Sequence, residues 1–235
     1  MNPAAQPTPP APPAAPVPRP AGFDRVAWCY DWLAAIVFGP ALRRAQRYAL
    51  AGLPPRAPHV LVLGGGTGWV LEEIWRRRPH ATVLYLDASA AMLARTRRRL
   101  RRWPAAQARQ VELRQGTPAS LRAGETFDAV VTFFVLDCVP LPALEGTLQR
   151  LLAARRPGTP WLLADFRPAR RWWQRVLLRA MYLFFRWSTG LQVADMANFE
   201  AELTARGLRV TRHRTYFGGA VAGSVLRPDG TYATP

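Results

Sequence analysis

The sequence predicts an α/β fold, a mostly parallel sheet with helices on both faces. Three observations carry that prediction. Short, continuously apolar runs recur as HVLVLG, ATVLYLD, FDAVVTFFVL and PWLLADF, the pattern of strands buried on both sides. Helical stretches alternate with them, and that alternation implies parallel, doubly wound strands. A glycine-rich turn, GGGTG, joins the first run to the helix that follows it.

The elements are expected in this order. Residues 1–20 are almost entirely Pro and Ala, so 1–22 reads as an extended, polyproline-like tail ahead of a single domain over 23–235. The tail has no basic start followed by an apolar stretch and is not read as a signal peptide. Residues 23–50 are helical in pattern but broken at Gly39-Pro40, because proline lacks the donor N–H and clashes with the preceding turn. Two helices, over about 23–51, therefore precede the core. Strand 59–64 leads into helix 68–78, which stops at Pro79, and strand 81–87 leads into helix 89–103, with Leu93, Leu100 and Trp103 on its inner face. Strands at 111–116, 127–136 and 160–166 follow, with a helix at 144–154 between the last two. A helix at 196–206 and two strands, 208–217 and 220–226, joined at Gly218-Gly219, complete the chain.

Composition narrows the function classes. The chain has 235 residues, 49% hydrophobic and 20% charged, which is ordinary for a globular domain. Its two cysteines, Cys29 and Cys138, form neither metal-ligand nor CxxC spacing, so no metal site is expected and a reducing, cytoplasmic setting is the simpler reading. Cys138 itself reads as small core filling. No uncharged apolar run approaches the ~18 residues of a membrane span. The formal net charge is +17, yet every one of the 32 basic residues is arginine. Nucleic-acid binders generally mix lysine and arginine, so the charge reads as compositional bias that nevertheless attracts anionic partners, an anionic membrane surface among them.

The chemistry concentrates in VLVLGGGTG. Glycines at 64, 66 and 68 let the backbone approach a ligand, and the following helix N-terminus presents N–H groups. Asp87 ends the next strand, where a carboxylate can accept hydrogen bonds from both ribose hydroxyls of an adenosine moiety. Dinucleotide enzymes need GxGxxG, but the third glycine position is Trp69 here, which disfavours a nicotinamide oxidoreductase.

With these motifs in place, residues 23–227 resemble the class I S-adenosylmethionine-dependent methyltransferases. VLVLGGGTG looks like the family's first motif and LDASAAML like its second. RQGTPASL falls where the family meets the adenine ring, and FDAVVTFFVLD matches the segment lining the methionine end. The resemblance implies a Rossmann-like, mostly parallel seven-stranded sheet with an antiparallel last strand and helices on both faces. It implies S-adenosylmethionine as cofactor, held by Gly64, Gly65, Gly66, Thr67, Gly68, Asp87, Ala88, Ser89, Met92, Gly116, Thr117, Phe133 and Phe134. The opening FDRVAWCYDWL is similar to the ubiquinone/menaquinone C-methyltransferase branch, in which a tyrosine like Tyr30 lies near the cofactor. Two positions depart from the family pattern. The acidic residue of the first motif is Val62, and the acidic residue after the third strand is Thr117.

Methyl transfer from a sulfonium is an in-line displacement, so alignment supplies much of the rate and a base is needed only if the acceptor must lose a proton. Asp137, after the fourth strand, is the candidate catalytic or substrate-orienting group; its bland alternative is a cap on the following turn. His213 reads as a surface histidine. Segment 167–187, RPARRWWQRVLLRAMYLFFRW, reads as a helical insertion over about 167–190 with a stripe of Arg171, Arg175, Arg179 and Arg186. Its apolar arc is wider than a surface helix needs, which suits a hydrophobic acceptor, a second subunit or a membrane boundary. The expected activity is therefore methylation of a small apolar acceptor, lipid- or quinone-like, with peripheral contact to the inner membrane face. The alternatives are a nucleic-acid methyltransferase, whose Asn/Asp-Pro-Pro-aromatic segment is absent at Phe133-Phe134-Val135-Leu136, and a non-catalytic cofactor-binding protein.

Overall fold

The computed structural model describes residues 38–167, 176 and 198–229. Helix α1 (Pro40–Leu50) starts on proline directly after Gly39, whose φ of 51° only glycine adopts cheaply. The core then runs β1 (His59–Leu63), α2 (Trp69–Arg77), β2 (Thr82–Asp87), α3 (Ala90–Leu100), α4 (Ala105–Ala108), β3 (Val111–Gln115), β4 (Ala129–Phe133), α5 (Leu141–Ala153), β5 (Trp161–Phe166), α6 (Phe199–Thr204), β6 (Leu208–Tyr216) and β7 (Val221–Pro228). The first of the two expected N-terminal helices, the Pro/Ala tail and Tyr30 lie outside the described residues. So does the 167–190 insertion, apart from Arg167 at its start and Val176, which is helical and exposed.

All seven strands form one sheet in the order β3-β2-β1-β4-β5-β7-β6. The first five pair in parallel, and β7 runs antiparallel to both β5 and β6. The strand order reverses between β1 and β4, so their carboxyl ends open a crevice at the switch point, where ligands of open α/β sheets bind. The two faces bury separate apolar layers. Val60, Val62, Val83, Tyr85, Val131 and Leu162 face α1, α2 and α3. Leu61, Leu84, Val130, Trp161, Leu163 and Leu226 face α5 and α6.

A buried carboxylate clamps α1 to α2. Glu73 is 1% exposed and is ion-paired by Arg47 at 3.1 Å, by Arg77 at 2.6 Å and by Arg76. Burial alone raises its pKa, but the hydrogen bonds and charges of these arginines outweigh that and hold it below the usual glutamate value.

The boundaries depart from expectation in explicable ways. Helix α3 ends at Leu100 rather than Trp103, yet Trp103 still packs inward, its ring 5.0 Å from that of Trp75. Helix α5 starts three residues earlier than periodicity suggested, because Pro142 is compatible with a first helical turn. Cys138 is exposed rather than core filling, because the apolar run after β4 turns outward in a short 3-10 turn, Leu136–Cys138. His213 lies on the exposed edge strand β6, as expected of a surface histidine.

Candidate functional site

The glycine turn sits at the carboxyl end of β1. Gly64, Gly66 and Gly68 have φ of 62°, 62° and 82°, in the left-handed region. Space is as restrictive as conformation. A Cβ on Gly64 would lie 2.2 Å from Val135 Cγ2, and one on Gly65 would lie 2.4 Å from Tyr85 Cε2. The loop is therefore wedged between the end of β4 and the ring on β2. Gly68 leads α2 without any side-chain cap, leaving the helix N-terminus to the loop and to a ligand.

Three side chains order this loop where the family's acidic residue is missing. Tyr85 Oη donates to Gly66 O at 2.9 Å and Thr96 Oγ1 donates to the same carbonyl at 3.1 Å. Arg99 Nε donates to Thr67 O at 3.0 Å while its Nη1 pairs with Glu72 at 2.6 Å. Val62 is 1% exposed and packs in the core. The restraint that an acid at that position would exert from below comes here from β2 and α3. Tyr85→Phe is accordingly expected to remove one of these bonds, worth about 0.5–1.5 kcal/mol. Isothermal titration should then show roughly 2- to 10-fold weaker S-adenosylhomocysteine binding with little change in fold.

Asp87 closes β2 and is 7% exposed; its Oδ1 accepts the Ser89 N–H at 2.8 Å. Ala88 lies between these two residues. Ser89 caps α3, its Oγ accepting the Met92 N–H at 3.3 Å, and Met92 is buried in the first turn of that helix. Gly116 donates its N–H to Asp87 O at 2.9 Å, which brings the end of β3 alongside. The Thr117 hydroxyl accepts the Ala119 N–H, and Ser120 Oγ accepts the Thr117 N–H in return, so Thr117 acts as a turn cap.

The end of β4 supplies the opposite wall. Phe133 is buried, and Phe134 is held at φ 52°, a strained conformation for an aromatic residue. Its ring lies 5.0 Å from Phe166, which in turn lies 5.0 Å from Phe38, with Phe217 a further 5.0 Å on. Asp137 follows in the Leu136–Cys138 turn. Burial pushes its carboxyl pKa up, against a 3.5 Å contact from Cys138 Sγ to Oδ1.

One carboxylate escaped the sequence reading. Asp165, one residue before the end of β5, is 5% exposed; its Oδ1 accepts the Phe166 N–H at 2.8 Å. Its Oδ2 is buried with no hydrogen-bond partner among the described residues. Burial, followed by the charge of Asp137, raises its pKa well above the usual aspartate value. It faces a small pocket of about 20 Å³ lined also by Leu163, Arg167, Asn198, Glu200 and Ser224. Glu200 accepts from Ser224 Oγ, lies 2.7 Å from His213 Nδ1 and pairs with Arg167 at 3.2 Å. The available signal was an acid inside the apolar run PWLLADF.

A glycine turn, a strand-end carboxylate and an aromatic wall thus meet at the switch point of a seven-stranded sheet whose last strand is antiparallel. That is the architecture of a class I methyltransferase. The methyltransferase-domain family profile matches residues 61–160. The trans-aconitate 2-methyltransferase of Methylobacterium nodulans is 33% identical over 205 residues, covering 82% of this chain and 75% of that protein. Among solved structures, the mitomycin 7-O-methyltransferase MmcR superposes with a TM-score of 0.64 at 18% identity, covering 89% of this chain and 61% of its own. The chain thus spans about three fifths of that enzyme's length. The N-methyltransferase NodS of Bradyrhizobium japonicum, solved with S-adenosyl-L-homocysteine, gives 0.57 at 14%, covering 80% of this chain and 85% of its own. The chain belongs to the S-adenosylmethionine-dependent methyltransferases. Its own residues suit that cofactor: a turn with no room for side chains, an uncapped helix N-terminus and an acid at the end of β2.

Proposed function

We propose that the protein transfers the methyl group of S-adenosylmethionine to a small acceptor with an apolar body, lipid- or quinone-like. The observation that carries this reading is the phenylalanine cluster at the carboxyl ends of β4 and β5 beside the glycine turn, in which Phe134 and Phe217 are partly exposed on a packed base of Phe38 and Phe166. S-adenosylmethionine supplies an electrophilic methyl group on a sulfonium. The chain's part is to bind, orient and dehydrate. Gly64, Gly65, Gly66, Thr67 and Gly68 cradle the methionine end, Asp87 takes the ribose hydroxyls, and Ala88, Ser89 and Met92 border the adenosine. Gly116 and Thr117 border the adenine from β3, Phe133 and Phe134 wall the methionine side, and Tyr30 covers the cofactor. Asp137 orients the acceptor. Asp87→Ala should weaken S-adenosylhomocysteine binding by about 1–3 kcal/mol, the cost of losing a polar contact to a buried group, read by titration.

Nucleic acid is disfavoured as acceptor because the segment after β4 reads Phe133-Phe134-Val135-Leu136 and not Asn/Asp-Pro-Pro-aromatic, whatever the overall charge. Among the described residues no helix is long and apolar enough to cross a membrane. A peripheral contact through segment 167–187 is tested by liposome flotation of wild type against an Arg175/Arg179 charge-removal variant. The acceptor class is tested with radiolabelled S-adenosylmethionine offered separately to a lipid extract, total RNA and trans-aconitate. Label in the lipid fraction supports the proposal, and label only in RNA or in trans-aconitate contradicts it.

A further inference from the structure

We infer that the pocket beside Asp165 is an acidic subsite that takes an amine on the methyl acceptor, with Asp165 Oδ2 accepting its hydrogen bond. This rests on the methyltransferase reading above and narrows its acceptor from lipid- or quinone-like to an apolar molecule bearing an amine. The starting observation is an expensive one. Burying a carboxylate oxygen without a hydrogen-bond partner costs the fold, and such groups are rare in native proteins. Asp165 is 5% exposed, and its Oδ2 has no partner among the described residues. Its same-face neighbours along β5, Trp161 and Leu163, are apolar and fully packed, so packing gives no reason for an acid there.

The surroundings select the ligand. Glu200 on α6 and Ser224 on β7 line the same pocket, Asn198 adds an amide, and the cation Arg167 is tied to Glu200 at 3.2 Å. His213 on β6 reaches the pocket's lining through Glu200, Ser224 and Arg167, the last at 3.0 Å from its Nε2. Asp137, in the turn after β4, acts on Asp165 by its charge, and together with burial raises the proton affinity of Asp165. An anionic ligand would be repelled here. A hydroxyl could donate one hydrogen bond but would leave both charges uncompensated. An ammonium donates several hydrogen bonds and supplies the positive charge that buried Asp165 and its neighbour Asp137 lack.

Placement fits an acceptor. Ala164 O accepts the Phe134 N–H at 2.8 Å, so Asp165, the next residue, stands at the carboxyl end of β5 level with the end of β4, on the sheet face of Leu163 and Phe199. An apolar amine would set its head against Asp165, with Phe199 and Ala222 as the apolar part of the lining.

The test uses the full-length protein saturated with S-adenosylhomocysteine and titrated with n-hexylamine, n-hexanol and n-hexanoate. Wild type is expected to bind the amine at least roughly tenfold tighter than the alcohol and to exclude the carboxylate. Asp165→Asn should lose that preference. Its ligand-free Tm near neutral pH should exceed that of wild type, since the cost of burying an ionisable carboxyl has been removed. The sign follows from linkage: the folded state holds the Asp165 proton more tightly than the unfolded chain, so wild type loses stability as pH rises above about 4, and the variant loses less. Should the variant fail to fold, wild type alone decides. Its hexylamine affinity should rise roughly tenfold as pH is raised through the titration of the carboxyl. Equal binding of the alcohol or carboxylate, a preference retained in Asp165→Asn, pH-independent amine binding, or no amine binding while S-adenosylhomocysteine binds would each overturn the subsite. None of these results touches the methyltransferase assignment, which falls only if S-adenosylhomocysteine itself does not bind.

Discussion

Gly64→Ala is expected to destabilise the protein by about 2–5 kcal/mol and to abolish measurable cofactor binding. Two costs add. At φ 62° a residue with a Cβ is strained by about 1–2 kcal/mol. The new methyl would also stand 2.2 Å from Val135 Cγ2 and 2.8 Å from Val135 Cβ, and relieving such overpacking costs a further ~1–3 kcal/mol. Because Val135 follows Phe134 directly, relief must move either the glycine turn or the aromatic wall, and both belong to the site. Thermal unfolding should show a Tm lower by roughly 10 °C. Adding Val135→Ala removes the collision but not the strain, so the double variant should recover part of the stability. A double variant no more stable than Gly64→Ala would mean that the contact is not what fixes the turn.

Trp161→Ala should have an effect of similar size on stability from the opposite end of the molecule. Trp161 opens β5, is fully buried, and its Nε1 donates to Thr132 Oγ1 at 2.7 Å. It packs among the residues beneath α5 and α6, including Phe127, Leu148, Leu203 and Leu226. Truncation leaves a cavity and a buried hydroxyl stripped of its donor, together about 3–5 kcal/mol, a large fraction of the ~5–15 kcal/mol that holds a typical domain. Urea unfolding is the measurement. Trp161→Phe keeps most of the volume and loses the hydrogen bond, so it should fall between the variant and wild type. If the alanine variant unfolds at the wild-type midpoint, β5 is not anchored as described, and neither is the carboxyl end that carries Asp165.

Local pattern made the glycine turn and the end of β2 legible. Strand β1, the glycines at 64, 66 and 68 and the acid ending β2 are close in sequence, and each needs only its neighbours to be recognised. The restraint on that loop was not legible in the same way. Val62 looked like a deficit because the compensating donors, Tyr85, Thr96 and Arg99, lie about 20–30 residues away and meet the loop only after β2 and α3 pack beside it. Asp165 is a similar case. Its burial depends on α6 and β7, which come later in the chain, so within PWLLADF it read as one polar residue in a strand. Cys138 failed in the other direction. FFVLDCV looks like core by composition, but the chain turns out of the sheet at Phe134 and leaves the cysteine exposed.

The most direct test of the account is isothermal titration of the full-length protein with S-adenosylmethionine and S-adenosylhomocysteine. One-to-one binding of both, weakened in Asp87→Ala and absent in Gly64→Ala while each variant remains folded, is the predicted result. A folded wild-type protein that binds neither ligand would contradict the assignment of the switch-point crevice as a methyl-donor site.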